Sequence, residues 1–195
     1  MIEEFISRQA RIITTAIDVI SDSGLSSLSF QAISMRINIS EDMLYKYYQN
    51  VDEILVDVVN AYFKFDKMLF STIMSKDTPY LDKLHMYVDQ FADYYGNYFS
   101  LSALSLHYEE LLHNVNTRDI IVQKYSDRRE FLKTIFEGCL ENNEIAVVAP
   151  AEVLADNVLG IMMICMLNRR IMNRKHTPKD ELKAYLNEWI DALKR

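Results

Sequence analysis

Little in this chain interrupts a helix. Its 195 residues include four glycines, three prolines, two cysteines and one tryptophan. So few breakers leave long periodic stretches, and no alternating apolar–polar run lies between them, which excludes a sheet-built or loop-rich domain. The cysteines, Cys139 and Cys165, sit inside apolar helical runs without motif spacing. That excludes a disulfide framework and suits reduced core thiols in a cytoplasmic protein. There is no Gly-rich phosphate loop, no nucleophile elbow and no Cys/His cluster at zinc spacing, so an enzyme is disfavoured and neither cofactor nor metal is implied. The opening MIEEFISRQ lacks the basic start and apolar block of a secretory signal. The longest apolar run, VLGIMMICML from Val158 to Leu167, is too short to span a bilayer, so no membrane partner is expected. Being apolar on every side, it predicts a helix covered on both faces.

What is present is half hydrophobic, 50% by residue, which argues for a packed core and against general disorder. The periodicity predicts an all-α protein of nine helices. The first three span about 4–23, 29–36 and 40–47. Asn50 caps a long fourth helix running to about Ser75, with Asp52 and Glu53 in its first turn. Thr78-Pro79 starts a fifth, and Gly96 separates it from a sixth carrying Leu101 to Leu112. Helices over 119–141 and 151–173 follow, and Thr177-Pro178-Lys179-Asp180 caps the last.

Residues Ile12 to Leu55 carry the most information. Ile12, Ile13, Ala16, Ile17 and Ile20 recur at helical spacing, and Gly24 follows as a stop. Ser29 opens a short helix with Phe30, Ile33 and Ile37. After a corner at Asn38-Ile39, Ser40 opens another that leads to Leu44, Tyr45, Lys46, Tyr47 and Tyr48. Helix, tight turn, helix is the unit that lays its second helix in the DNA major groove.

In these places the chain resembles the TetR family of transcriptional regulators. The resemblance rests on Ile12-Ile13, Ala16, Gly24, Leu28-Ser29, Ile33-Ser34, Ile37-Asn38-Ile39-Ser40 and Leu44-Tyr45-Lys46-Tyr47-Tyr48, about a quarter of the chain in unbroken register. It implies a nine-helix TetR-like fold. Residues 1–49 would then form a helix-turn-helix DNA-binding domain and 50–195 a ligand-binding and dimerisation domain. It also implies a homodimer on a pseudo-palindromic double-stranded operator, most simply as a repressor released by a small-molecule effector. The candidate DNA contacts are Ser29, Arg36, Ser40, Glu41, Asp42, Met43, Tyr45, Lys46 and Tyr47, with Tyr48 turned inward in place of the family's Phe.

Three positions depart from the family pattern. Asn38 stands for the turn glycine, which asparagine tolerates through its access to the left-handed region. Asp42, after Glu41, stands where a small residue is usual, and Val51 replaces a phosphate-gripping lysine. Charge points the same way. Over residues 1–55 four basic side chains (Arg8, Arg11, Arg36, Lys46) face eight acidic ones (Glu3, Glu4, Asp18, Asp22, Glu41, Asp42, Asp52, Glu53), a balance of −4 within a chain of −7. Phosphate neutralisation dominates DNA affinity, so these residues predict weak or unusually specific binding, or a module that has given up DNA.

Between Tyr62 and Phe136 large side chains are frequent. The resemblance implies that helices four to seven enclose an effector cavity whose occupancy moves the fourth helix and respaces the two heads. Tyr62, Tyr87, Phe91, Tyr95, His107 and Tyr108 are the candidate lining, suited to a mostly apolar or aromatic effector. Aromatic stripes at this spacing also build ordinary core, and that reading stays open for each residue. For the dimer interface the candidates are Val158, Ile161, Met162, Cys165 and Met166 on the eighth helix. The ninth adds Leu182, Tyr185, Leu186, Trp189 and Leu193.

Two rivals come from other classes. In one, a regulator-like dimer with weakened DNA binding works through a protein partner, its acidic heads marking the partner surface. The other is a ferritin-like metal-dependent enzyme, for which the sequence offers one Glu-x-x-His pair, Glu110 to His113, and a looser Asp82 to His85.

Overall fold

The backbone reverses hand at Gly24, and that reversal stops the first helix. In the computed structural model, which describes residues 7–146, 149–172 and 179–194 (backbone only at 97, 99 and 179), α1 spans Arg8–Ser23. Ser7 Oγ accepts from the Ala10 N–H at one end, and Gly24, at φ 87°, closes the other. A methylated residue would be strained at that angle. A 3-10 turn, Leu25–Ser27, leads to α2, Phe30–Ile37, whose Ser29 cap accepts from Ala32 N. Asn38 takes the left-handed conformation at φ 54°, and Ile39 N reaches back to Ser34 O at 3.1 Å, a Schellman-type closure. The departure from glycine at this corner is therefore accommodated.

The third helix is shorter than the spacing predicts. α3 covers Glu41–Leu44, and Tyr45 to Tyr47 continue as turn. Ser40 stands at the cap with an extended backbone, yet its side chain makes no capping bond. Three tyrosines among the next four residues add little helix propensity to compensate. α4 spans Val51–Met74. Asn50 Oδ1 accepts from Glu53 N at 3.0 Å, and Glu53 Oε2 accepts from Gln49 N at 2.7 Å, a reciprocal cap that fixes where the helix begins.

By backbone packing the chain forms two compact units, Met1–Phe65 with Phe99–Gln123, and Asp66–Tyr98 with Lys124–Arg195. This cuts the chain differently from the division at residue 50 expected above. In the first unit, Ile12, Ala16, Ile20, Ile33, Leu44, Ile54 and Val58 form a core at 0–1% exposure. Removing a side chain such as Leu44 should cost about 2–5 kcal/mol. The sixth helix of the sequence reading is broken into α6 (Phe99–Ser102), a 3-10 stretch (Ala103–His107) and α7 (Tyr108–His113). α6 and the 3-10 stretch pack on α1.

The second unit contains α5 (Tyr80–Asn97), most of α8 (Arg118–Glu141), α9 (Ala151–Ile171) and α10 (Lys179–Leu193). α5 runs through Gly96 and turns at Tyr98, so glycine does not break it. Nor does Thr78 cap it. The first two N–H groups, of Tyr80 and Leu81, donate to Glu144 at 2.9 and 2.7 Å, while Thr78 Oγ1 is buried without a partner. Gly138 lies under the Tyr80 ring, where a methyl group would overlap it. The cap expected at Thr177-Pro178 lies outside the described residues.

α9 is 21 residues long and, by length and hydropathy alone, sufficient to cross a bilayer. Its Leu154, Ala155, Val158, Met162, Cys165 and Met166 form one buried stripe, and the buried Arg169 continues it. A stripe that ends in a buried arginine belongs to a protein core.

Candidate functional site

The helix-turn-helix presents a coherent surface. Tyr45 and Tyr47 are 58% and 41% exposed, Lys46 is exposed between them, and Leu44 and Tyr48 point inward. The Tyr45 ring meets the buried Phe30 edge to face at 4.6 Å, which braces it while it faces outward. Glu41, Asp42 and Ser40 are exposed and Met43 is half-buried. Ser29 is half-buried, and its hydroxyl is committed to its own helix. Arg36 is exposed but engaged: its Nη1 lies 2.8 Å from Asp22 Oδ2. Arg8 lies 3.6 Å from the Met43 sulfur. The candidate contacts thus share one region, with part of its cationic charge already answered.

Behind that surface, one carboxylate ties three elements. Tyr48 donates to Asp57 Oδ2 at 2.8 Å, and Gln9 donates to the same oxygen at 3.2 Å. α1, α4 and the segment that follows α3 are joined there. Burial, and then the bond to Asp57, push the Tyr48 phenol up to about 12. Asn114, following α7, donates to Asp52 at the start of α4 at 2.9 Å. Asp57 and Asn114 escaped the sequence reading, because neither belongs to an apolar stripe or a family motif.

The six candidate lining residues fall into the two units. In the first, Tyr62 is buried and accepts from Tyr108 through a 3.1 Å hydroxyl bond. His107 is half-buried, with Nδ1 3.0 Å from Glu110. Glu110 therefore turns to His107, and no group of three or more His, Cys, Asp or Glu side chains comes together among the described residues.

In the second unit Tyr87, Phe91 and Tyr95 are all buried and form a continuous aromatic series, with centroids 6.1 and 4.4 Å apart. Phe131 joins Tyr87 at 5.1 Å and stacks on Phe70 at 4.2 Å. Within this series lies an ion pair. Arg128 donates to Asp66 through Nε at 2.8 Å and Nη2 at 3.3 Å, and to the Tyr95 hydroxyl at 2.7 Å. Arg169 donates to the carbonyls of Tyr95 and Gly96 at 3.0 and 2.9 Å. Asp66, Arg128 and Arg169 belong to no sequence motif, although helical spacing held a signal. Asp66 lies four residues after Tyr62, and Arg128 falls into the buried series Ile121, Leu132, Ile135 and Cys139.

Seven candidate interface residues, Val158, Met162, Cys165, Met166, Leu182, Leu186 and Leu193, are buried within the chain itself. Ile161 and Trp189 are half-buried, Trp189 edge to face with Phe136, and Tyr185 is 42% exposed. Burial pushes both thiols, Cys139 and Cys165, up to about 12, as inert core cysteines require. The outer side of α9 instead shows Val153, Ile164 and Ile171 to solvent.

Neither a protein-family model nor a curated protein sequence matches the chain. Solved structures do. The ketosteroid transcriptional regulator KstR2 of Mycobacterium tuberculosis superposes with TM-score 0.85 at 11% identity, over 97% of this chain and 96% of its own. The TetR-family regulator PfmR of Thermus thermophilus gives 0.81 at 16% identity, over 95% and 100%. AibR, solved with isovaleryl coenzyme A and operator DNA, gives 0.69 at 19%, over 80% and 84%. The chain has the all-α fold of TetR-family transcriptional regulators.

Proposed function

We propose that the protein is a ligand-responsive transcriptional regulator of the TetR type, acting as a repressor. It binds a pseudo-palindromic operator as a homodimer in the cytoplasm and is released by a small, mostly apolar or aromatic effector. Residues 1–49 read DNA, and 50–195 bind effector and dimerise. One observation carries this reading: a capped helix-turn-helix with exposed Tyr45, Lys46 and Tyr47, on a fold shared with a regulator solved on operator DNA. Phosphate contacts come from Lys46, Tyr45, Tyr47, Arg8 and Arg11, with Arg36 available on release from Asp22. Met43 and the carboxylates of Glu41 and Asp42 are set to meet base edges.

The dimer surface uses the outer ridge of α9 with Ile161, Tyr185 and Trp189, because the other candidates already face inward. Tyr62, Tyr108 and His107, and separately Tyr87, Phe91 and Tyr95, are the effector-responsive groups.

The test is selection of random duplexes on the purified protein at low salt, followed by mobility shift on the DNA flanking its own gene. Enrichment of a two-fold symmetric site, with affinity falling steeply as salt rises, is the expected result. A folded dimer that enriches no sequence would sink this reading. The rival is then a dimer acting through a protein partner, favoured by the acidic head and by the engagement of Arg36 with Asp22.

A further inference from the structure

In the second unit a cleft of about 540 Å³ opens between α4 and α8. Its floor includes the stacked pair Phe70 and Phe131, Asp66 forms part of its wall, and Lys67 and Lys124 stand with Asp127 and Glu130 around it. Behind Asp66 lies Arg128, 4% exposed, with its guanidinium carbon 5.3 and 5.7 Å from the ring centres of Phe91 and Tyr95. Planar and always charged, guanidinium is the protein group best matched to a carboxylate, which it grips through two parallel bonds. Here Asp66, itself 6% exposed, holds that fork.

A buried ion pair adds little stability, because desolvation offsets the attraction, so stability alone does not account for it. We propose that Arg128 is the anchor for the carboxylate of an amphipathic organic acid. The ligand's apolar or aromatic part lies along Phe70 and Phe131, and its carboxylate displaces Asp66 from the guanidinium. This names the effector class of the regulator proposed above and rests on that reading for its biological use, though not for its test.

Displacement has a proton balance. Burial, outweighing Arg128, holds the Asp66 carboxyl above the ordinary carboxylate range. The groups that face it are Lys67 on its own helix, Lys124, Asp127 and Arg128 on α8, and Tyr94 and Tyr95 on α5. When the incoming carboxylate takes the fork, Asp66 loses its counter-charge and takes one proton from solvent. The exchange leaves the interior charge as it was. Lys67 and Lys124 offset Asp127 and Glu130 at the entrance, so an anion is not turned away.

The experiment uses the full chain with 4-phenylbutyrate and decanoate, each paired with its primary amide. Binding is read by titration calorimetry in two buffers of different ionisation heat and by thermal denaturation. The acids should raise the melting temperature with concentration and take up one proton per ligand, and the amides should do neither. Asp66→Asn should bind the acids about tenfold more tightly or better, the worth of one charge-assisted bond, and lose the proton uptake. The double variant Asp66→Leu with Arg128→Met, which keeps a buried apolar pair in place of the charges, should lose the preference for acid over amide. Equal response to acid and amide would overturn the proposal. So would the absence of any carboxylate response in both the wild-type protein and Asp66→Asn. Carboxylate binding by a protein that selects no DNA defeats the regulator reading and leaves this one standing; DNA selection with no acid preference does the reverse.

Discussion

The second unit has surface ion pairs such as Arg129 with Asp156, as the first does, and it also buries one. Around the helix-turn-helix charge lies at the surface: Arg36 and Asp22 pair with 37% and 59% of their side chains exposed, and Lys46, Glu41 and Asp42 are in solvent. In the second unit Asp66 and Arg128 pair at 6% and 4%, walled by aromatic rings. A surface pair is worth little and exchanges partners readily, so the head can give its cations to phosphate at small cost. A buried pair cannot be broken quietly. Losing either member strands a charge in a medium that solvates it poorly, and only a replacement charge restores the balance. On the function proposed above, the exposed pair suits reversible contact with a polyanion, and the buried pair suits a response that depends on what occupies one guanidinium.

The contrast should be largest in stability. Asp66→Ala is expected to lower unfolding free energy by about 3–5 kcal/mol in urea denaturation, and an apolar double replacement of the pair should regain most of it. A cost below that of an ordinary surface substitution would show that the pair is solvated. Gly138→Ala, in the same unit but uncharged, should cost about 1–3 kcal/mol, because the new methyl group meets the Tyr80 ring. Its effect should show as faster amide exchange at the start of α5.

In the first unit, Tyr48→Phe removes one neutral-to-charged bond and should cost about 1–2 kcal/mol. That phenol also carries a pH signature. Its pKa is raised from 10.0 to about 12, so the native state keeps the proton longer than the unfolded chain does. The resulting stabilisation is whole below pH 10.0 and is lost as pH rises through about 12. An alkaline titration of the Phe variant should lack that step. Smallest in stability is Asp22→Asn, within about 0.5 kcal/mol of wild type. It should nevertheless raise operator affinity and steepen the salt dependence by about one unit of log–log slope as Arg36 is freed. An unchanged slope would mean that Arg36 never reaches a phosphate.

Local rules made the head legible in sequence. Gly24, Ser29, Asn38 and Asn50 each act within a few residues of themselves, and each stands where a boundary was expected. What sequence reading missed depended on distant partners. Asp66 and Arg128 stand on long helices with no motif around them, and the counter-charge of each lies 62 positions away. The dimer candidates illustrate the converse. An all-apolar helix has two sides to cover, and periodicity alone could not say which side its own chain covers; Val158, Met162 and Cys165 turned out to face inward. The broken stretch between Phe99 and His113 escaped too, since its apolar residues Leu101, Leu104 and Leu111 fit a continuous helix as well as three short turns.

Glu144 caps α5 from 64 positions downstream of Tyr80. During synthesis, the first turn of that helix therefore leaves the ribosome long before its carboxylate exists. Until then its two leading amides have only water, and the segment starting at Tyr80 should fray while the rest of the helix forms. A nascent chain stalled before residue 144 should be cut by protease near that start, and one stalled well beyond it should not.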